Sequence, residues 1–361
     1  MSSRSPVATD PAQVFDDLAA VAARIRDRLN AEITESAEDL PDGADGAAAP
    51  AGEISRFARE ERDRVLAAGA RGLEKLAEGR EDEIDEDEYF GVEAIVLLEG
   101  RPALLVQGQD FATPTDDWAV LDGHRAPIRE SIARVGRVEV TGHPSLDWVG
   151  TAFLVGPEVV MTNRHVAAEF TRSDGNSGWV FRPGMTARVD TTEELPLAGT
   201  APGDGSFEYE VTGVLGIHRE ADMALLRVAP TARGGGSLPT PLAVAAEAPA
   251  DLPGRPVYVI GYPAWDGRRN EPESMRRIFM DIYNVKRLQP GTATELIADE
   301  LTMKHDCSTL GGNSGSPVFD LNDHRVLGLH YGGRYRSGNF AVPLWAMVED
   351  TLPGLSEVNW V

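Results

Sequence analysis

The chain has 361 residues, 42% of them hydrophobic, and 34 Lys and Arg against 58 Asp and Glu give a formal net charge of −24. That length supports two sizeable cores, while the acidic balance excludes nucleic acid as a partner, because phosphate binding needs clustered basic residues. The one cysteine, Cys307, excludes an intrachain disulfide and suits a reducing compartment.

In chain order, the N-terminus lacks the apolar run of a secretory signal, and no stretch approaches the roughly 20 apolar residues of a membrane span. A cytoplasmic protein with no membrane partner is expected. Residues 1–88 carry 23 acids against 11 bases, half of the whole negative excess, so residues 1–90 read as a separate acidic helical extension. Asp10-Pro11 looks like an N-cap and first helical position. Val14, Leu18, Val21, Ile25 and Leu29 recur at spacings of three and four, which predicts a helix from Pro11 to Ile33. Breakers and small residues over Pro41–Pro50 read as a flexible link. Ile54, Phe57, Val65, Leu66, Leu73 and Leu76 predict a second amphipathic helix. The run Glu81–Glu88 carries seven acids, whose repulsion favours an extended, solvated segment. These helices read as a solvated hairpin or dimerisation arm, or, more sharply, as a protein-docking or self-association module over residues 11–80.

Residues 91–130 are expected to form a β-hairpin, Ala94–Leu98 with Ala103–Val106, and a lead-in helix around Ile128–Ile132. From residue 131 onward, β-rich segments separated by Gly and Pro, without long helices between them, predict barrels or a sandwich. A final helix is expected over Leu344–Thr351.

The strongest local pattern is Gly312-Asn313-Ser314-Gly315-Ser316-Pro317, just before the strand-like Val318-Phe319. A serine hydroxyl is a poor nucleophile until a base takes its proton. His165 meets that need at the end of Val159-Val160-Met161-Thr162-Asn163-Arg164, where a loop meets a rigid strand. The histidine in turn needs an acceptor to fix its tautomer, and Asp222, at the head of Met223-Ala224-Leu225-Leu226, is the candidate. Asp190 and Asp204 are the alternatives. His124, His143, His218, His305 and His324 show no metal-ligand spacing and read as surface or core residues. Neither a metal nor a cofactor is expected, and Cys307 reads as a free thiol near a pocket.

The segments around these residues (Thr162 to Val166, Asp222 to Leu226 and Gly312 to Pro317), in the order His165, Asp222, Ser314, resemble the trypsin-like peptidases of bacteria, notably the V8-like glutamyl endopeptidases and HtrA-type protease domains. The resemblance covers roughly residues 135–350. It implies a mainly β fold of two six-stranded antiparallel barrels of the chymotrypsin type, one over about 131–235 and one over about 240–343, with the helical extension in front. It also implies a polypeptide substrate, Ser314 as nucleophile, His165 as base, Asp222 as its orienter, and the amides of Gly312 and Ser314 as oxyanion donors. Asn313 departs from digestive enzymes, which use an aspartate there to bind a newly cut N-terminus, so activity without such a cut is expected.

The same resemblance makes Val326–Gly333, with Tyr331 and Gly332, the strand that pairs with substrate and lines the S1 pocket, and Ser337–Pro343, with Asn339, another pocket wall. Glutamyl endopeptidases have a histidine and a threonine, contacting the substrate carboxylate, at the positions of His330 and Thr309. That implies Glu or Asp at P1, against the alternative that His330 is a hydrogen-bonded wall residue. The competing functional class is a binding or scaffold protein on a protease fold, its site kept closed or controlled by a partner.

Overall fold

The computed structural model describes residues 11, 15, 17–38, 50–95, 100–112, 114, 118–176, 178–196, 207–264, 282–334 and 338–361. Two compact units divide the chain, residues 1–100 with 272–280, and residues 101–271 with 281–361.

The first unit holds α1 (Leu18–Glu38), α2 (Pro50–Ala77) and α3 (Glu86–Ile95). α1 starts later than the apolar spacing predicts because Asp17 supplies the cap, its Oδ1 accepting the Ala20 amide at 2.9 Å. Val21, Ala22, Ile25 and Leu29 then pack with Leu66, Ala70 and Leu73 of α2. Gly69 and Gly91 let α2 and α3 cross at backbone contact, since a Cβ on either would run into the other's main chain. The predicted link lies outside the described residues, apart from Pro50, which begins α2. No helix among the described residues is long and apolar enough to cross a membrane.

Two expectations fail in this unit. Residues 81–88 are not an extended segment: Glu81–Glu83 form a 3-10 turn and α3 starts at Glu86. Repulsion is offset by burial of Ile84 and by reciprocal capping, in which the Glu88 amide donates to Asp85 Oδ1 at 2.8 Å and the Asp85 amide to Glu88 Oε2 at 3.2 Å. Lys75 Nζ neutralises the buried Glu88 carboxylate at 2.6 Å. The predicted strand Ala94–Leu98 is also wrong at its start, because Ala94 and Ile95 end α3, while Val96–Leu98 lie outside the described residues. Short apolar runs fit either period, and here Val92 and Ile95, three apart, complete a helical face packed with Leu66 and Leu73.

In the second unit, β1 (Leu104–Gln107) makes its hairpin with β2 (Asp110–Phe111) rather than with residues 94–98. Gly108 and Gln109 both have positive φ (62° and 60°), the requirement of a two-residue type I′ turn. Two short helices follow, α4 (Val120–Gly123) and α5 (Arg125–Ile132). The first barrel closes in the order β3 (Val135–Thr141), β4 (Trp148–Gly156), β5 (Val159–Thr162), β10 (Ala224–Val228), β9 (Glu208–Ile217), β8 (Thr186–Asp190) and back to β3. Between β5 and β8 lie α6 (Arg164–Phe170) and the hairpin of β6 (Thr171–Ser173) with β7 (Trp179–Phe181).

The second barrel runs β11 (Pro256–Gly261), β14 (Pro317–Asp320), β15 (Val326–Arg334), β16 (Gly338–Pro343), β13 (Thr302–His305), β12 (Arg287–Ile297) and closes by the β11 to β12 pairing; β1 extends it from β12. The fold is therefore mainly β, with two closed six-stranded antiparallel barrels.

Strand alternation assigns each residue to one of three cores. On β4, Ala152 and Leu154 fill the first barrel while Phe153 and Val155 belong to a core shared by both barrels. On β11, Val257 and Val259 fill the second barrel while Tyr258 and Ile260 join the shared core. Burial on both faces makes these strands read as unbroken apolar runs, and each buried Val, Leu, Ile or Phe among them contributes about 1.5–3 kcal/mol. The predicted final helix is shorter than expected, a 3-10 turn over Leu344–Met347. The Asp350 side chain accepts the Leu352 amide at 2.8 Å, an Asx turn that diverts the chain just before Pro353.

Candidate active site

The first barrel supplies two of the residues. β5 ends at Thr162, and Asn163, extended at φ −77° and ψ 153°, starts α6, so His165 sits in that helix's first turn rather than on the strand. Its amide donates to Asp222 Oδ1 at 3.0 Å and its Nδ1 to Asp222 Oδ2 at 2.6 Å. Both carboxylate oxygens thus serve one residue, which fixes the proton on Nδ1 and leaves the Nε2 lone pair as a base. The His165 side chain is 49% exposed and that of Asp222 20%, so the imidazole is open and the carboxylate sheltered. Burial works to raise the Asp222 carboxyl, but the His165 hydrogen bonds and the Arg164 charge hold it below the usual carboxylate range. Asn163, given no role from the sequence, anchors the loop by donating from Nδ2 to the Asp222 carbonyl at 2.8 Å. Asp190 is committed elsewhere, accepting the Thr192 amide and hydroxyl, and Asp204 lies outside the described residues.

The second barrel supplies Ser314 on a glycine turn before β14. The Asn313 amide closes a β-turn onto the Leu310 carbonyl at 3.2 Å, and Gly312, third in that turn, has φ +85° as a type II turn requires. A Cβ there would also strike the Tyr262 carbonyl and the Trp148 ring. Thr151 draws the carbonyls backward, its hydroxyl donating to Gly312 O and its amide to Ser314 O, each at 2.8 Å. Among the described residues, neither the Gly312 nor the Ser314 amide has a protein acceptor.

Gly150 brings the two halves together. A Cβ built on it would lie 2.7 Å from Val166 Cγ2 and 2.9 Å from the Ser314 carbonyl, so α6 and the serine turn flank one glycine. Among the described residues Ser314 Oγ has no hydrogen bond to His165; such links commonly tighten only when substrate is bound.

Beside the serine turn, the Gly315 amide donates to the His330 carbonyl and the His330 amide to Ser316 O, each at 2.9 Å, which ties β15 to the site. The His330 ring is buried, with Nδ1 3.1 Å from Nε2 of His305, also buried. Desolvation and the neighbouring His305 and His165 push the His330 imidazole well down, and desolvation alone takes His305 to about 3, so both are neutral. Among the described residues His305 Nδ1 has no partner. An orphaned acceptor costs less than an orphaned N–H, so His305 donates from Nε2 and His330 carries its own proton on Nε2. His305 was missed in the sequence; its signal is the alternation Met303, Lys304, His305, which puts it on the inward face of β13 with Met303.

Thr309 donates to Asn339 Oδ1 at 2.7 Å, and Asn339 Nδ2 to the Cys307 carbonyl at 2.6 Å, so these two walls are cross-linked. A side chain on Gly332 would meet nothing within 4 Å. Tyr331 is not joined to this network, its phenol pairing with Thr302 at 2.9 Å and its ring stacking on Phe340. Burial pushes the Cys307 thiol up, leaving it unreactive.

Residues 150–329 match the family model described as a trypsin-like peptidase domain. The glutamyl endopeptidase of Staphylococcus aureus strain MW2 is 25% identical over 223 residues, 61% of this chain and 55% of that protein; that of strain MRSA252 is also 25% identical, over 61% and 51%. The match therefore spans about half the length of these curated relatives. Among solved structures, the inactive form of the Rv3671c protease aligns with a TM-score of 0.38 at 21% identity over 64% of this chain and 93% of that one. Its active form from M. tuberculosis aligns at 0.41 and 19%, over 71% and 90%.

Proposed function

The chain belongs to the trypsin-like peptidases through residues 150–329, and on that premise we propose that it is a serine endopeptidase working through an acyl-enzyme. The observation that carries this reading is the double hydrogen bond from His165 to Asp222. His165 Nε2 takes the Ser314 proton as Oγ attacks the scissile carbonyl, and the Gly312 and Ser314 amides receive the developing oxyanion. The imidazolium then protonates the leaving amine, and water, activated by the same nitrogen, releases the acid.

The finer reading is a preference for Glu or Asp at P1. The Thr309 hydroxyl proton is committed to Asn339, so the donor for a substrate carboxylate is the neutral His330 Nε2–H, set by His305. Activity without N-terminal cleavage is supported by Asn313, fully buried and uncharged, whose Oδ1 lies 3.4 Å from Gln289 Nε2 and which offers no anion to a new N-terminus. The test is cleavage-site proteomics with the uncut wild type beside Ser314→Ala. Cuts after Glu and Asp made only by the wild type are expected. Cuts after Leu or Arg would remove the acidic preference but keep the endopeptidase, and identical peptide sets from both proteins would contradict the function itself.

A further inference from the structure

The loop between β9 and β10, His218-Arg219-Glu220-Ala221-Asp222-Met223, carries the carboxylate that orients His165, and its backbone is organised around its first residue. We propose that His218 is a positioning residue for Asp222, with its imidazole as the template on which the loop folds and Asp350 as the anchor of that imidazole. This rests on the reading of His165, Asp222 and Ser314 as catalytic.

Nδ1 of His218 accepts two backbone amides, from Ala221 at 2.7 Å and Glu220 at 3.1 Å. Two donors aimed at one ring nitrogen leave it unprotonated, so the ring proton sits on Nε2, which donates to Asp350 Oδ2 at 3.1 Å. Burial works to raise the Asp350 carboxyl, but the Leu352 amide and His218 hold it below its ordinary value, so it remains an anion able to accept. The main chain of His218 is used as well. Its amide closes the loop onto the Met223 carbonyl at 2.9 Å, and its carbonyl accepts Arg164 Nη1 at 3.3 Å. Arg164, which also reaches the Arg219 carbonyl, immediately precedes His165. His218 thus spends Nδ1 and its amide on the loop that carries Asp222, its carbonyl on Arg164 beside His165 and its Nε2 on Asp350, and its side chain is only 13% exposed.

The test uses the full chain with His218→Ala and His218→Asn. An asparagine Oδ1 stands where Nδ1 does and accepts the same amides, as in an Asx turn, but does not reach Asp350. Two readouts are followed: steady-state peptide hydrolysis, and the downfield proton resonance of the His165 Nδ1–H bonded to Asp222. His218→Ala should lower kcat about 100-fold with KM unchanged and broaden or remove the resonance, and His218→Asn should recover most of both. Unchanged kcat and resonance in His218→Ala, or no recovery in His218→Asn, overturns the proposal. Should His218→Ala fail to fold, Asp350→Asn keeps the loop sequence intact. A smaller drop in kcat and a weakened resonance are then expected, and wild-type values for both overturn it. If the wild type hydrolyses no peptide, the endopeptidase reading fails and the resonance alone decides the role of His218.

Discussion

The first barrel brings His165 and Asp222 to the site with their hydrogen bonds already made, whereas the second brings Ser314 on a turn whose Gly312 and Ser314 amides are left open. The difference follows from the role proposed for each half. A base needs one tautomer and one direction, so its amide and Nδ1 are saturated and Nε2 alone is left open; an oxyanion site needs donors that are aimed but empty until the charge appears. Saturation is achieved with side chains, Asn163, Asp222 and Arg164, and emptiness with backbone, through a glycine at φ +85° and the two Thr151 hydrogen bonds that hold the carbonyls back.

The contrast breaks most visibly at Asp222→Asn. The new amide nitrogen would donate toward His165 Nδ1 and impose the wrong tautomer, and kcat should fall by about four orders of magnitude with the fold intact, measured by peptide hydrolysis and circular dichroism. On the other side, Gly312→Ala sets a Cβ against the Tyr262 carbonyl at a left-handed φ and turns the oxyanion amide away. A loss of about a hundred- to a thousandfold in kcat is expected, with part of it shared by a lower unfolding midpoint. An alanine enzyme of wild-type rate would show that this amide is not used.

Smaller effects sharpen the second-barrel half. His330→Phe should lower kcat/KM for a Glu-P1 peptide about 10- to 100-fold relative to a Leu-P1 peptide, the worth of one hydrogen bond to a charged group. An unchanged ratio would make His330 a wall residue. The smallest effect is on stability. His305 and His330 are held neutral in the folded protein, with pKa values depressed below the unfolded value near 6.5, to about 3 for His305. Their contribution is complete above pH ~6.5 and is lost as pH falls from there toward the folded values, at up to about 1.4 kcal/mol per pH unit for each imidazole. Urea unfolding at pH 7 and pH 5 checks this, and His305→Phe should flatten the difference.

Much of this contrast is legible in the sequence, because the chemistry sits in short segments whose order along the chain is itself informative: Thr162 to Val166, Asp222 to Leu226 and Gly312 to Pro317. Gly312 as an oxyanion donor is legible there too, through the resemblance. What is not legible depends on pairs far apart in sequence. His305 gains its role only by facing His330, 25 residues on, and Asp350 meets His218 across 132 residues. The helical unit shows the converse error. Charge repulsion suggests an extended run at residues 81–88, but Lys75 and the Asp85 to Glu88 cap outweigh it, and the apolar run that begins at Ala94 and Ile95 yields to a helix whose Val92 and Ile95 pack with Leu66 and Leu73.

We propose Ser314 as a nucleophile activated by the His165 to Asp222 pair. A fluorophosphonate probe applied to the wild type, Asp222→Asn and Ser314→Ala, with the labelled peptide identified by mass spectrometry, tests it directly. A single adduct on Ser314 is expected in the wild type, with greatly slowed labelling in Asp222→Asn and none in Ser314→Ala. Labelling that persists in Ser314→Ala, or a folded wild type that does not react, would contradict it.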